Sequence, residues 1–372
     1  MTEKIRVGVI GARGAWTGRA HLPAIKALPE YDLVAVATSR PETAVEAAKK
    51  FGAKHAHHDY HELIANPEVD LITVSIKAPM HYEMTMAALN YGKPVFTEWP
   101  LGVNVQEAKE MSSLAKKKGV HTMVGLQARV SPGILHLKEL IDEGYVGRPL
   151  SCSMTMFLTS GPRSSASLWG GDRRKGAGTL SIPGGHSLDA LCFCLGGFSE
   201  LSSYVRTQSP LWYLNDTNEE VAVDAPDNIL VNGVLESGCL VSIHVASTLG
   251  PAPGWRMEIY GTAGSLVATS TLMVQYGDIQ IRGARKKEEV DTYRYIGSAD
   301  FEDVVIPEKH QWVPSSVPSG WPYNIAQLYR QLSDGILHGK PVGPDFEHAF
   351  KHHRLLHSIE TAAEKGGVHR IT

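Results

Sequence analysis

The chain opens with a short apolar run, IRVGVI (5–10), whose β-branched residues predict a buried strand. A glycine-rich turn, GARGAWTG, follows it, and then an apolar helical spacing through His21, Leu22, Ala24, Ile25 and Leu28. DLVAVAT (32–38) reads as a second strand, ETAVEAAKKFG (42–52) as a helix closed by Gly52, and VDLITVSI (69–76) as a third strand. HYEMTMAALNYG (81–92) is a helix with a glycine stop, and PVFTEW (94–99) is again a strand. QEAKEMSSLAKKKG (106–119) and HTMVGL (121–126) continue the alternation. Strands alternating with helices of this length predict βαβ units and a parallel sheet, and continuously apolar strands predict that both its faces are covered.

The pattern changes after residue 126. Strand-like runs separated by glycine turns dominate (149–159, 227–248, 255–269), and long helical spacings are confined to a segment beginning SLDALCFC and to 324–339 and 347–365. Two domains are therefore expected: a dinucleotide-binding Rossmann domain over 1–126 and an α+β domain over 127–372, whose last helices pack back on the first domain. With 372 residues, 43% apolar and 20% charged, a two-domain globular protein is the natural reading. A net charge of -3 argues against nucleic-acid or anionic-membrane partners. No 18-residue apolar run exists, and MTEKIRVGVIG lacks the apolar core of a signal peptide, so a cytoplasmic location is expected. Cys152, Cys192, Cys194 and Cys239 form no CxxC pair and read as reduced, mostly buried thiols.

Gly8, Gly11 and Gly14 do not reproduce G-x-G-x-x-G, but the turn lies after the first strand and before a helix, where backbone amides and a helix N-terminus converge on a pyrophosphate. A tight turn that binds nothing is the competing reading. Gly11, Arg13, Gly14 and Trp16 are the candidates there. The second strand ends in Thr38-Ser39-Arg40 with no acid for the ribose hydroxyls, so Ser39 and Arg40 admit NADP as well as NAD.

Several stretches resemble one family: VGVIGARGAWTGRAHLPAI, the strand running into Lys77-Ala78-Pro79-Met80-His81, TEWPLG, and GGHSLDALCFCLGG. They are similar to the glucose–fructose oxidoreductase, inositol dehydrogenase and rhizopine-catabolism (Gfo/Idh/MocA) family over nearly the whole chain. VGLQARVSPGILHLKELIDEGYVG and FTEWPLG look like the branch containing the yeast galactose-regulon repressor. The resemblance implies an α/β protein, with an N-terminal Rossmann domain and a C-terminal domain built on a large open, mainly antiparallel sheet. It further implies hydride transfer between NAD(P) and a sugar or cyclitol hydroxyl, and a homodimer or homotetramer.

In typical members a Glu-Lys-Pro motif supplies a catalytic lysine, with an aspartate and a histidine from the second domain. Here Glu98 and Pro100 match, but Trp99 replaces the lysine, and indole has no titrating proton. His186 matches the family's histidine. Ile182 stands where the aspartate is usual, and Asp189 follows three residues after His186. His186 is then the candidate base, or a helix-start histidine bonded to backbone. Asp189 would orient it, or serve the helix terminus. Trp99 is expected to line the cofactor cleft.

The preceding loop, SGPRSSASLWGGDRRKGAGTL (160–180), carries Arg163, Arg173, Arg174 and Lys175. Either this is a solvated face, or the guanidiniums receive an anionic sugar, with Lys175 substituting for the lost lysine. Lys77, His81, Glu98 and Gln127 are further cofactor candidates, and Arg129 and Tyr323 further substrate candidates. His353 and His357 have a metal-ligand spacing without a carboxylate or cysteine partner, so no metal is expected. The leading function is NAD(P)-dependent oxidoreduction of a sugar or sugar acid. The rivals are a redox-neutral, NAD-dependent glycosidase acting on an anionic glycoside such as a sulfosugar glycoside, and a non-catalytic nucleotide or sugar sensor of the repressor type.

Overall fold

The computed structural model describes residues 4–285 and 300–371. Contacts group the chain into two units. The first takes the chain through Gln127 together with Asp172–Ala177 and Gln311–Arg354; the second takes Ala128–Gly171, Gly178–His310 and the residues from Leu355 onward.

The strands of the first unit are β1 (Ile5–Ile10), β2 (Tyr31–Ala37), β3 (His55–His57), β4 (Leu71–Val74), β5 (Val95–Thr97) and β6 (Thr122–Val124). They pair in parallel in the order β3-β2-β1-β4-β5-β6, the doubly wound arrangement in which ligands bind outside the carboxyl ends of β1 and β4. The helices between them are α1 (Leu22–Ala27), α2 (Pro41–Phe51), α3 (Tyr60–Ala65), α4 (His81–Asn90) and α5 (Val105–Lys118). Helix α2 begins on a proline and ends on left-handed Gly52 (φ 77). Helix α5 begins with a reciprocal cap close to a capping box: Asn104 Oδ1 accepts from Glu107 N (2.9 Å), and Glu107 Oε2 accepts from the N–H of Val103, one residue before the N-cap (2.9 Å). That cap holds the backbone immediately after the Trp99–Gly102 turn.

The second unit starts with α6 (Pro132–Asp142) and β7 (Pro149–Thr159), followed by α7 (Gly185–Leu195) and β8 (Phe198–Arg206). A hairpin of β9 (Leu211–Leu214) and β10 (Glu219–Ala222) comes next, and then β11 (Asn228–Leu235), β12 (Leu240–Thr248), β13 (Gly254–Gly261), β14 (Gly264–Ser270), β15 (Gln280–Arg285) and β16 (Glu302–Val304). Helix α8 (Trp321–His338) belongs to the first unit, α9 (Phe346–Lys365) supplies residues to both, and β17 (His369–Arg370) ends the chain's strands. The large sheet runs β16-β15-β14-β13-β7-β12-β11-β8-β17, antiparallel except for the β7–β12 pair. Alternating residues point inward, among them Cys152, Met154 and Met156 of β7 and Val241, Ile243 and Val245 of β12. Among the described residues no helix is long and apolar enough to cross a membrane.

Candidate functional site

The glycine turn leaves β1 with Gly11 at φ +90, and a Cβ there would stand 2.2 Å from the Ser75 carbonyl oxygen beyond β4. Only glycine fits this contact, which brings the ends of the two central strands together. Arg13 and Gly14 are exposed beyond it, and Trp16 is half-buried, its ring 6.1 Å from Trp321 and 6.4 Å from His21. At the end of β2 the Thr38 hydroxyl lies 2.6 Å from that of Thr43 and donates to the Arg40 carbonyl (3.1 Å), while Ser39 and Arg40 are exposed. Lys77 is exposed before a short turn, Ala78–Met80. His81 is buried, with its nitrogens facing the carbonyls of Pro100 (2.8 Å) and Ile76 (3.0 Å). Burial lowers its pKa; the neutral ring donates to one carbonyl at a time and braces the Pro100 turn from inside.

Glu98 and Trp99 part company at the end of β5. Glu98 Oε1 lies 2.7 Å from His21 Nε2, His21 Nδ1 lies 2.9 Å from the Tyr329 hydroxyl, and the Thr73 hydroxyl lies 2.8 Å from that of Tyr329. The whole chain is buried, and Gly125 lies so close to Glu98 that a Cβ would meet its carboxylate at 2.7 Å. Trp99 is 4% exposed, and its indole lies against His352 (4.9 Å) and His353 (4.7 Å) of α9. The indole is thus packed in the interior of its own unit. Gln127 is also buried, and its Oε1 has no hydrogen-bond partner in the structure. A buried amide oxygen of that kind suits a donor supplied by a ligand.

The cationic loop contributes residues to both units. Arg163 belongs to the second unit, where its guanidinium lies 4.0 Å over the Trp212 ring. Arg173, Arg174 and Lys175 form an exposed turn of the first unit. Arg174 pairs with Asp172 (3.0 Å), and Gly176 (φ +67) backs onto Val103, where a Cβ would come within 2.3 Å of its Cα. Close backbone packing, rather than charge, delivers Lys175 to the unit that carries the glycine turn. Tyr323, half-buried near the start of α8, is in the same unit.

His186 (3% exposed) and Asp189 (1%) stand in the first two turns of α7 in the second unit. Asp189 Oδ2 accepts from Arg129 Nε (2.8 Å), and that guanidinium covers the Phe193 ring at 4.8 Å. Asp189 is thus held by Arg129, and Arg129 is engaged with both Asp189 and Phe193. Cys192 and Cys194 are pushed up to about 12 by burial, which keeps both as thiols.

Residues 5–126 match the model of the GFO_IDH_MocA oxidoreductase family, an NAD-binding Rossmann fold, and residues 132–270 match the Gal80p C-terminal domain. A dehydrogenase from Aspergillus oryzae, AclE, is 32% identical over 284 residues, 72% of this chain and 77% of that one. The chain belongs to the Gfo/Idh/MocA oxidoreductase family. Residues 5–126 are thus the NAD-binding Rossmann domain of that family. A regulatory relative, the Kluyveromyces lactis galactose/lactose metabolism protein GAL80, is 30% identical over 295 residues, 71% of this chain and 64% of that one. In fold, the chain matches levoglucosan dehydrogenase in complex with NADH at a TM-score of 0.85, with 23% identity and 100% of both chains covered.

The pairings absent from the sequence reading are His21 with Glu98 and Tyr329, and Trp99 with His352 and His353. The one available hint was a histidine inside an apolar helix pattern, since a buried imidazole needs a polar partner.

Proposed function

We propose that the protein is an NAD(P)-dependent oxidoreductase acting on the hydroxyl of a sugar or sugar derivative. The observation that supports this most is the turn at the ends of β1 and β4, where Gly11 is closed down on the Ser75 carbonyl and Arg13 and Gly14 are left exposed. The amides of that turn receive the pyrophosphate, Ser39 and Arg40 meet the adenosine ribose or its phosphate, and the Gln127 amide oxygen takes a hydrogen bond from the nicotinamide end. A bound nicotinamide supplies the hydride acceptor. Trp99 cannot carry the alcohol's proton, so His186 takes it at Nε2, its Nδ1 being fully enclosed. The exposed turn Arg173–Lys175 carries three cations, which supports an anionic sugar as the substrate.

A second reading, a non-catalytic nucleotide sensor, is favoured by one observation: the position after Glu98 is filled by an indole packed inside the unit. The experiment incubates the protein with NAD or NADP and a panel of sugars, uronates, sulfosugars and their chromogenic glycosides. Reduced nicotinamide formed in proportion to product, and lost in His186→Ala, is the expected result. Aglycone release without net reduction would replace net oxidation by redox-neutral cleavage. Nucleotide binding with no turnover in either channel would leave the sensor.

A further inference from the structure

In the second unit, two imidazoles and one carboxylate that the proposed function does not use converge. His136 and Glu139 lie one turn apart on α6, and His310 comes from the short turn Glu308–His310, some 170 residues later. His136 Nδ1 and His310 Nε2 each lie 3.1 Å from the same oxygen, Glu139 Oε2. The ligating atoms of all three side chains lie within 4.8 Å of one another. Lys309 donates to the other carboxylate oxygen, Oε1.

We infer that His136, Glu139 and His310 form a zinc site that clips the Glu308–His310 turn to α6. Tetrahedral zinc with bonds of about 2.0–2.1 Å sets its ligand atoms about 3.3 Å apart. Two of the three separations here are already 3.1 Å, so only the two imidazoles need to draw together. For the ion to enter, the protons on His136 Nδ1 and His310 Nε2 shift to the opposite ring nitrogens, and both lone pairs then face the space at Oε2. The side chains are 9%, 25% and 12% exposed, which leaves the fourth position to water. Lys309 is the ion's competitor for the carboxylate. Without an ion, it and the two imidazoles form a purely hydrogen-bonded latch.

The test uses the untagged full-length chain and Zn2+ alone in isothermal titration, with Co2+ as a spectroscopic probe. One equivalent is expected to bind, with the intense visible absorption of four-coordinate cobalt, and Zn2+ is expected to raise the Tm. His136→Gln and His310→Gln, checked by circular dichroism for native folding, should weaken binding by about tenfold or more and remove the Zn2+-dependent rise in Tm. Lys309→Ala removes a like charge beside the ion and should tighten binding about three- to fivefold. The chain has 17 histidines, so the variants decide the matter. No stoichiometric binding, binding indifferent to both His→Gln changes, or weaker binding in Lys309→Ala would each overturn the assignment.

Discussion

Restoring the family's lysine by Trp99→Lys is expected to damage the protein rather than repair it. The indole is 4% exposed and packed on His352 and His353. Deleting a buried tryptophan side chain costs about 3–5 kcal/mol through lost burial and the cavity left behind. A lysine stem refills part of that space, but it brings an ammonium into a buried site. The two histidines against it supply no negative charge to offset the ammonium, since an imidazole is either neutral or cationic. The neighbouring Glu98 already receives His21 at 2.7 Å. The net loss is therefore about 3–5 kcal/mol, which for a folding unit of 150–250 residues is roughly a 10 °C fall in Tm. Circular dichroism at 222 nm is the readout, since tryptophan fluorescence changes with the substitution itself. Trp99→Phe, which keeps the ring–ring packing, should lose only about 1–2 kcal/mol. A Trp99→Lys chain within about 2 °C of the parent, or one that gains hydride turnover, would refute the claim that this position is closed to chemistry.

Gly11→Ala should abolish nucleotide binding and cost about 1–3 kcal/mol, from the strained φ and the clash with Ser75. Gly18→Ala, whose Cβ meets only Phe51 at 3.7 Å, should be near-neutral in both; titration with NADH compares them, and equal behaviour would contradict the close-approach argument. Arg129→Ala leaves Asp189 1% exposed and without its guanidinium, at a cost of about 3 kcal/mol in chemical denaturation. Arg129→Met with Asp189→Leu should recover most of it; no recovery would mean that the pair serves more than its own neutralisation. His353 binds a proton in the unfolded chain below about pH 6.5 but, when folded, only near 3. Stability should therefore fall as pH drops from about 6.5 towards 3, by up to about 1.4 kcal/mol per unit. His353→Gln should flatten that part of the stability–pH curve, and an unchanged slope would show that this histidine is not its source.

The sequence by itself determined the architecture of the nucleotide half and the oddity at its centre. Continuous apolar strands between helices of matched length leave little choice but a covered parallel sheet. The turn after β1 announces its role by position, although its glycine spacing departs from the usual one. Trp99 in place of lysine is visible in a single letter. What that tryptophan does was decided only by the tertiary structure, because its partners are the histidines 352 and 353 of a much later helix. The same holds for His21, whose two nitrogens reach Glu98 and Tyr329, 77 and 308 residues away. Periodicity reports which face of an element is buried, not which distant side chain meets it there. It also cannot assign the cations of one loop to units: in the stretch 160–180, Arg163 belongs to the second unit and Arg173–Lys175 to the first. Arg163 is drawn onto Trp212, and the Arg173–Lys175 turn is drawn onto Val103, because a π face and a Cβ-free glycine each offer a close contact that charge alone does not.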